Sequence, residues 1–342
     1  MSISQMEFEI KQTPEVLGRL LMGQQQFETA VARIKSSSIK SVMIAARGTS
    51  DNAAHYLKHL IEVELGIPVG LASPSVVSIY GAKLHYSETL VIALSQSGQS
   101  PDLVAFVKAA RDGGALTLGI TNDTNSTLAK SVELHLDLLA DREIAVAATK
   151  SYTAQLFASL CLVNHWKGLA SSFDGLTAEA TRILGALDGL DDVLKSLDAK
   201  CPIVALGRGF SYGNARELAL KIQETSHITV QGMSTADYLH GPIAAVDEET
   251  RVLILAPNGT SRDGLKEAIS KLRTITKHLI WIGDSSWEID GELSLQGSKI
   301  GSEQISTVLD SILLQIIACK FAIKNGFNPD SPKGLTKVTL TT

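Results

Sequence analysis

Short apolar runs alternate with segments of helical spacing along most of this 342-residue chain. The runs at 41–46, 90–94, 115–121 and 134–138 predict β-strands. The predicted helices between them cover 16–34, 51–65, 101–112 and 150–166, and a further short strand begins at 67. Strands that alternate with helices at this spacing are typical of an α/β fold, in which a parallel sheet is covered on both faces by helices.

The stretch from Leu90 to Asp102 carries the clearest chemistry. Its strand leads into Ser95-Gln-Ser-Gly-Gln-Ser100, and Ser100-Pro-Asp102 has the order of N-cap, first helical residue and acidic first turn. Free amides at a helix N-terminus and three hydroxyls predict an anion site. The loop lacks the Walker A lysine and the three spaced glycines of a dinucleotide fingerprint, so it favours a small phosphomonoester. The alternative is a serine-rich turn that binds nothing.

The second half of the chain repeats polar motifs of the first. The matched pairs are Arg47-Gly-Thr-Ser50 with Arg208-Gly-Phe-Ser211, Ser97-Gly-Gln-Ser100 with Asn258-Gly-Thr-Ser261, and Asp123 with Asp284. Each pair has the same spacing of 161 residues (47 to 208, 97 to 258 and 123 to 284), which indicates an internal duplication. The second copy has Ala256-Pro-Asn258 instead of the serine-rich sequence, so we expect it to hold phosphate less well.

Composition narrows the classes of protein that the chain can belong to. It is 44% hydrophobic and 20% charged, and its net charge of −5 with scattered basic residues points away from nucleic acid and anionic membranes. Cys161, Cys201 and Cys319 lack metal-ligand spacing and predict core residues in a reducing compartment. Residues 1–11 lack the apolar segment of a signal peptide, and no apolar run approaches the ~18 residues of a membrane span. We therefore expect a soluble, cytoplasmic protein.

A charged stripe marks the predicted helix that begins at Asn214. Glu217, Lys221 and Glu224 are spaced i, i+4 and i+7, so they share one helix face. Such a stripe is usually solvated, but the residues between are mostly apolar, so the stripe could also face a cleft in a buried helix. Downstream, His240 precedes Gly241-Pro242 in a loop that could present an imidazole.

Metal and redox cofactors are not expected. His55 and His59 could share a metal as an i, i+4 pair, but no third ligand is evident nearby, and an exposed helix face is the favoured interpretation. The chain has no dinucleotide fingerprint.

Seven motifs in order carry a resemblance to a known family. They are Arg47-Gly-Thr-Ser50, Ser95-Gln-Ser-Gly-Gln-Ser100, Val146-Ala-Ala-Thr-Lys-Ser-Tyr-Thr-Ala-Gln155, Leu206-Gly-Arg-Gly209, Glu217-x3-Lys-x2-Glu224, Leu239-His-Gly-Pro242 and Pro332-x2-Leu-x-Lys337. With them the chain resembles the double-SIS (sugar isomerase) family, and in particular the isomerase half of glutamine-dependent glucosamine-6-phosphate synthase and its stand-alone relatives. The resemblance implies two tandem SIS domains, each a flavodoxin-like parallel sheet flanked by helices.

The same resemblance implies roles for individual residues. Glu224 matches the base that moves a proton between C1 and C2, with Lys221 and Glu217 beside it. His240 matches the ring-opening acid/base, which enters from the neighbouring subunit of an expected homodimer, and Lys337 matches a lysine that forms an imine with the ketose. The implied sugar-phosphate contacts are Arg47, Gly48, Thr49, Ser50, Ser95, Gln96, Ser97, Ser100, Val146, Ala148 and Thr336. These residue types suit the chemistry, because His titrates near neutrality and a lysine can modulate a carboxylate base.

Several positions depart from the synthase pattern. This chain has Ala148 where the synthase has a sugar-contacting Ser, and Gln99-Ser100 where the synthase has Glu-Thr. It has Lys333 in place of Arg and Thr336 in place of Ala. The glutaminase domain with its terminal Cys nucleophile is not expected here, and neither is an internal ammonia source. These differences leave the sugar and the direction of reaction open.

The leading hypothesis is an isomerising deaminase that converts glucosamine 6-phosphate to fructose 6-phosphate and ammonia. A deglycase acting on a 6-phosphorylated sugar–amino acid adduct, or a deaminase of the galactosamine or tagatose series, would use the same residues with a different pocket. A third hypothesis is a non-catalytic phosphosugar sensor, which usually carries a DNA-binding domain. Residues 1–40 predict one amphipathic helix, too little for a helix-turn-helix.

The predicted organisation has five parts. Residues 1–34 form an N-terminal helical segment, 35–167 the first SIS domain, 168–190 a linker with helix, 191–327 the second SIS domain, and 328–342 a tail that carries Lys337. The loss of periodicity from Lys167 to Leu176 marks the linker. The tail is irregular and proline-rich, and it could fold back over a site.

Overall fold

The computed structural model describes residues 3–169 and 172–337, so parts of the predicted linker (170–171) and tail (338–342) lie outside the described residues. Contacts divide the chain into two compact units. Unit A comprises Glu15–Glu143, Lys150–Asp174 and the described residues from Thr336 onward. Unit B comprises the described residues up to Pro14, Ile144–Thr149 and Gly175–Leu335. Each unit contains one five-stranded parallel sheet.

The bounds of the elements follow in chain order. The α-helices are α1 Gln5–Lys11, α2 Thr13–Met22, α3 Gln25–Lys35, α4 Thr49–Leu65, α5 Ser75–Ser78, α6 Pro101–Asp112, α7 Lys150–Lys167, α8 Leu176–Gly185, α9 Leu190–Ser196, α10 Tyr212–Ser226, α11 Thr235–Leu239, α12 Lys266–Leu272 and α13 Glu303–Lys324. The strands are β1 Ser41–Ala45, β2 Val69–Leu71, β3 Thr89–Ser95, β4 Leu116–Thr121, β5 Leu134–Asp137, β6 Ile203–Gly207, β7 Val230–Ser234, β8 Arg251–Ala256, β9 Leu279–Gly283 and β10 Leu293–Gln296. Short 3-10 helices cover Ala129–Ser131, Gly209–Ser211, Pro242–Ala245 and Thr260–Leu265.

The two sheets have the same topology. Unit A has the strand order β2-β1-β3-β4-β5, and unit B has the corresponding order β7-β6-β8-β9-β10. The strand order reverses between β1 and β3 in unit A and between β6 and β8 in unit B. In open parallel sheets, ligands bind at such a point, next to the carboxyl ends of the strands. The loops after β1 and β3, and after β6 and β8, are those that carry the repeated polar motifs. The predicted α/β fold is confirmed.

Burial explains why some elements were easy to predict. Every residue of β3 and β4 is buried, as their continuous apolar runs indicate for central strands of a covered sheet. The first fourteen residues of α7 are also buried. Cys161 and Cys319 lie in the core as predicted, but Cys201 is half-buried.

The predicted helix over 16–34 is two helices. The chain breaks between α2 and α3 at Gly23, whose Cα packs so closely on Leu139 that an added Cβ would lie 2.9 Å from its Cδ1. Helix α4 also begins earlier than predicted, at Thr49, and β2 begins at Val69 rather than at 67. Strands β6, β7, β8 and β10 were not predicted individually.

Helix α13 passes the length and composition test for a membrane span, although the sequence there contains no continuous apolar run of that length. Its most apolar 18-residue window has a mean hydropathy of 1.6. However, 89% of that window is buried inside the fold, which is the pattern of a core helix.

Remote parts of the chain meet in unit B. The Asp330 carboxylate accepts the first two amides of α1, from Gln5 and Met6, each at 2.8 Å. The buried Glu9 carboxylate accepts the amide of Ala145 at 3.2 Å and that of the preceding residue as well. The beginning, middle and end of the chain are therefore joined by backbone-to-carboxylate hydrogen bonds.

A buried acid on α13 should make stability depend on pH. Burial raises the pKa of Asp310 from 3.8 to about 7, although the Ser298 amide at 2.7 Å and the Arg182 guanidinium oppose this and Glu179 adds to it. The folded state therefore binds more protons than the unfolded state between these values, so the free energy of unfolding should fall by about 3 kcal/mol as pH rises from about 4 to about 7.

Asp310→Asn should remove most of this slope. In thermal melts across that pH range, the melting temperature of the variant should rise relative to that of the wild type as pH rises. Asp290→Asn, at an exposed position, should run parallel to the wild type. Parallel curves for Asp310→Asn would show that Asp310 does not titrate in this range.

Candidate functional site

The serine-rich loop joins β3 to α6 at the carboxyl edge of the unit A sheet. Ser100 is the N-cap residue of α6, as predicted. Ser95 Oγ accepts the amide of Gly98 at 3.1 Å, and Ser97 Oγ accepts the amide of Gln99 at 3.3 Å. The Ser100 side chain makes no cap hydrogen bond to described residues. The loop is therefore shaped by its own hydroxyls, and Ser100 Oγ is available to a ligand.

Arg47 is held beside this loop by an acid that is not among the predicted site residues. Its Nε lies 2.8 Å from Asp102 Oδ2, which belongs to the first turn of α6. The Asp102 side chain is 1% exposed, whereas that of Arg47 is 44% exposed. The buried carboxylate fixes one edge of the guanidinium, and the exposed part of the Arg47 side chain can meet an anion.

The turn after β1 places the next two predicted contacts in the first turn of α4. Gly48 has φ of +54°, a left-handed conformation that favours glycine, and α4 begins at Thr49. Ser50 is buried, and its Oγ accepts Gln155 Nε2 at 2.8 Å. Ser50 is thus held by a core side chain, which makes it a poorer candidate for direct phosphate contact than the more accessible Ser97 and Ser100.

Gly98→Ala should disrupt the loop. Gly98 has φ of +60°, and an added Cβ would collide with the buried Ser126 side chain. Left-handed strain alone costs about 1–2 kcal/mol, and the collision should raise the total to about 3 kcal/mol and displace the loop. Urea unfolding and sugar-phosphate titration measure both effects.

The matched control is Gly66→Ala, because Gly66 has φ of +67° but nothing within 4 Å of an added Cβ. Gly66→Ala should lose the stability that left-handed strain costs, but it should still bind the sugar phosphate. Equal losses of stability in both variants, with binding retained, would rule out the close packing as the reason for glycine at position 98.

Lys337 contacts a buried carboxylate in unit A. Its Nζ lies 2.7 Å from Glu143 Oε2, and Glu143 also accepts Ser151 Oγ at 2.8 Å and the Ser151 amide at 3.1 Å. Lys337 is 22% exposed and the Glu143 side chain is fully buried. Glu143 was not predicted, although it lies only three residues before the Val146–Gln155 motif. Thr336 is exposed beside Lys337.

Two further predicted contacts, Val146 and Ala148, lie in unit B, and both are half-buried. The Val146 amide donates to Asp330 O at 3.2 Å, which fixes the backbone at that position. The Ala148 side chain offers no polar atom to a ligand.

The charged residues of α10 form a buried cluster in unit B. Glu217 and Lys221 are both fully buried, and their Oε1 and Nζ lie 3.6 Å apart. Lys221 Nζ also donates to Glu224 Oε2, and the Glu224 side chain is 23% exposed. The solvated stripe is therefore wrong for Glu217 and Lys221, and the cleft in front of the buried helix stays a prediction. The cluster presents one carboxylate at the surface, supported from below by an ammonium group.

His240 lies at the end of α11 and is exposed. Gly241, with φ of +148°, turns the chain into the 3-10 helix that begins at Pro242. The imidazole makes no hydrogen bond to any described residue. The sequence predicts His240 in a loop, and the structure places it at the C-cap of α11 with an exposed side chain, while its role as an acid/base stays a prediction.

The described residues contain no group of three or more His, Cys, Asp or Glu side chains that could hold a metal ion. The predicted exposed face for His55 and His59 is wrong, because both are half-buried and His59 Nδ1 lies 2.7 Å from His55 O. This contact turns the His59 ring towards its own helix.

The SIS domain profile matches residues 37–164 and 197–324. This chain belongs to the SIS-domain family. The two matches confirm the predicted duplication and the resemblance on which the residue roles were based. They also assign the serine-rich loop to the first SIS copy and the α10 cluster to the second.

Similar proteins include enzymes of sugar-phosphate metabolism. The isomerizing glutamine–fructose-6-phosphate aminotransferase of Gloeobacter violaceus is 31% identical over 349 residues, which cover 96% of this SIS-domain chain and 57% of that protein. The chain therefore spans little more than half the length of this relative.

Two solved structures are also similar. Glucosamine-6-phosphate deaminase from Thermotoga maritima has 24% identity and a TM-score of 0.77, covering 99% of this chain and 100% of that one. Tagatose-6-phosphate ketose/aldose isomerase from Escherichia coli has 20% identity and a TM-score of 0.83, covering 97% of each chain. At these identities the likeness shows a shared double-SIS fold.

Proposed function

We propose that this SIS protein is a phosphosugar isomerase that acts as a deaminase, converting glucosamine 6-phosphate and water to fructose 6-phosphate and ammonia. The observation that carries the proposal is the α10 cluster, in which Glu224 is the partly exposed carboxylate and Lys221 is fully buried beneath it. A carboxylate held next to an ammonium suits a base that takes a proton from carbon and returns it to the neighbouring carbon.

In the proposed reaction His240 opens the sugar ring by moving a proton between the ring oxygen and the anomeric hydroxyl. Glu224 then transfers a proton from C2 to C1, and a second proton passes from the amine nitrogen to the aldehyde oxygen, so that C1 becomes an alcohol and the amine at C2 becomes an imine. Water adds to the imine carbon, the C–N bond breaks, and ammonia leaves with the ketone formed. The loop Ser95–Ser100 would bind the phosphate throughout.

Besides the amine of the substrate, the proposed mechanism includes the side-chain amine of Lys337. The resemblance assigns it an imine with the ketose, which forms when the neutral amine adds to the ketone carbon and water leaves, and Lys337 must first lose a proton and leave its ion pair with Glu143. The fully buried Glu143 would return Lys337 to the same position after each turnover.

A homodimer and a cytoplasmic location belong to the same proposal. The exposed imidazole of His240 suits a residue that each chain would present to its partner. Sedimentation of the purified protein measures the oligomeric state, and a monomer that retains full activity would remove the exchange of His240 from the mechanism.

The test is a substrate panel in which ammonia and ketose are measured together. Glucosamine 6-phosphate should yield both in equal amounts. A deglycase would instead release a free amino acid from a phosphorylated sugar–amino acid adduct, and an enzyme of the galactosamine or tagatose series would prefer that sugar. Tight binding of sugar phosphates without turnover of any of them would favour the sensor.

A further inference from the structure

The loop after β8 is the second copy's counterpart of the serine-rich loop, and it is filled by a side chain of the protein itself. Glu303, the first residue of α13, is 8% exposed, and its Oε2 accepts the amide of Ser261 at 3.1 Å. The repeat aligns Ser261 with Ser100, the N-cap residue of the first loop. A carboxylate oxygen of Glu303 is thus bound by the loop amide that corresponds to the one expected to bind phosphate.

Two glycines leave space for this carboxylate. An added Cβ at Gly259, which the repeat aligns with Gly98, would collide with the Glu303 side chain. An added Cβ at Gly209, in the turn after β6, would lie 2.8 Å from Ser261 Cβ and 3.8 Å from Glu303 Oε1. Gly209 also has φ of +56°. Both polar loops of the second sheet therefore close around the Glu303 carboxylate.

The enclosed polar atoms are not all satisfied. Glu303 Oε1 and Ser261 Oγ are both buried, and neither has a hydrogen-bond partner among the described residues. Buried polar atoms without partners are costly and need an explanation. The Ser261 hydroxyl is a donor that the carboxylate leaves unused, and Glu303 Oε1 is an acceptor that no donor of the described loop reaches, so the carboxylate fits this loop only in part.

We infer that the Glu303 carboxylate takes the place of a phosphate in the second SIS copy, and that its removal opens a second phosphomonoester site at Ser261. The chain as it stands would hold at most one sugar phosphate, in the loop Ser95–Ser100. The inference rests on the proposed function only for that first site. The opening of the second loop follows from the contacts of Glu303 and does not depend on the reaction.

The probe is inorganic phosphate, titrated calorimetrically and followed by phosphorus NMR. Glu303→Ala should bind one phosphate per chain more than the wild type. Glu303→Gln keeps the shape and an acceptor for the Ser261 amide, so it should remain closed, with phosphate at least about tenfold weaker than in Glu303→Ala. Gln304→Ala, at the adjacent position, should resemble the wild type.

Substitution of the three serines of the first loop separates this inference from the proposed function. In a background of Ser95→Ala, Ser97→Ala and Ser100→Ala, Glu303→Ala should still add one phosphate per chain. If the first loop binds no phosphate, the wild type will bind none, yet Glu303→Ala will still gain one site.

Two results would overturn the inference. One is folded Glu303→Ala that binds no more phosphate than Gln304→Ala. The other is that Glu303→Ala and Glu303→Ser both unfold and millimolar phosphate does not restore either of them, since the carboxylate would then be a structural part of unit B. Refolding by phosphate but not by chloride would support the inference.

Discussion

Glu224→Gln should lower turnover of the sugar phosphate about 10³-fold while the dissociation constant of the sugar phosphate stays within about twofold. A positioned base contributes about 10²–10⁴-fold to proton transfer, and the amide cannot accept the proton. Because the expected phosphate contacts lie elsewhere in the sequence, ground-state binding should be retained. Single-turnover formation of ketose, together with direct titration of the sugar phosphate, measures the two effects separately.

The matched control is Glu62→Gln. Glu62 forms the same kind of lysine–glutamate pair on a helix, with Lys58 of α4, and its side chain is 36% exposed. It should leave turnover unchanged. Retained activity in Glu224→Gln would assign the proton transfer to another group, and equal losses of binding and turnover would make Glu224 a binding residue.

Lys221→Met should destabilise unit B by about 3–5 kcal/mol. The change removes the ammonium group 3.6 Å from Glu217, which is fully buried, and the loss of one partner of a buried ion pair leaves an uncompensated charge. Methionine has a similar length and an apolar end, so packing should change little. Urea unfolding followed by circular dichroism provides the measurement.

A second variant tests whether charge is the cause. Lys221→Met combined with Glu217→Gln should recover about half of the lost stability but none of the activity. Lys58→Met breaks a pair that is partly exposed on both sides, and it should cost less than about 1 kcal/mol. A small loss in Lys221→Met, similar to that of Lys58→Met, would mean that the α10 cluster is not sustained by its charges.

Hydrophobic pattern was sufficient for the parts of the fold that are buried on all sides. Strand β3 and the start of α6 were predicted because a continuous apolar run and a Ser-Pro-Asp sequence each have one usual structure. Strands β7 and β10 were missed, and only part of each is buried. Their identity as strands depends on pairing with β6 and β9, which no local pattern records.

The candidate site, like the fold, was predicted from the sequence only in part. Spacing alone placed Glu217, Lys221 and Glu224 on one face of α10, but it could not decide whether that face met water. Asp102 and Glu143 were missed as partners of Arg47 and Lys337, because a contact across 55 or 194 residues leaves no trace in one sequence. The parallel topology could have indicated Asp102. This residue lies in the first turn of α6, which follows β3, and β3 is the neighbour of β1, the strand that precedes Arg47.

The hydrogen bonds that Asp330 and Glu9 make in unit B have a consequence for how the protein is made. Asp330 lies 325 and 324 residues after Gln5 and Met6, the residues of α1 whose amides it binds. A ribosome releases the chain from its N-terminus, so α1 cannot meet this partner until residue 330 has been synthesised. Unit B therefore completes its fold only after both SIS copies have been translated, and a gene cut between the two copies should not yield two independently folding halves.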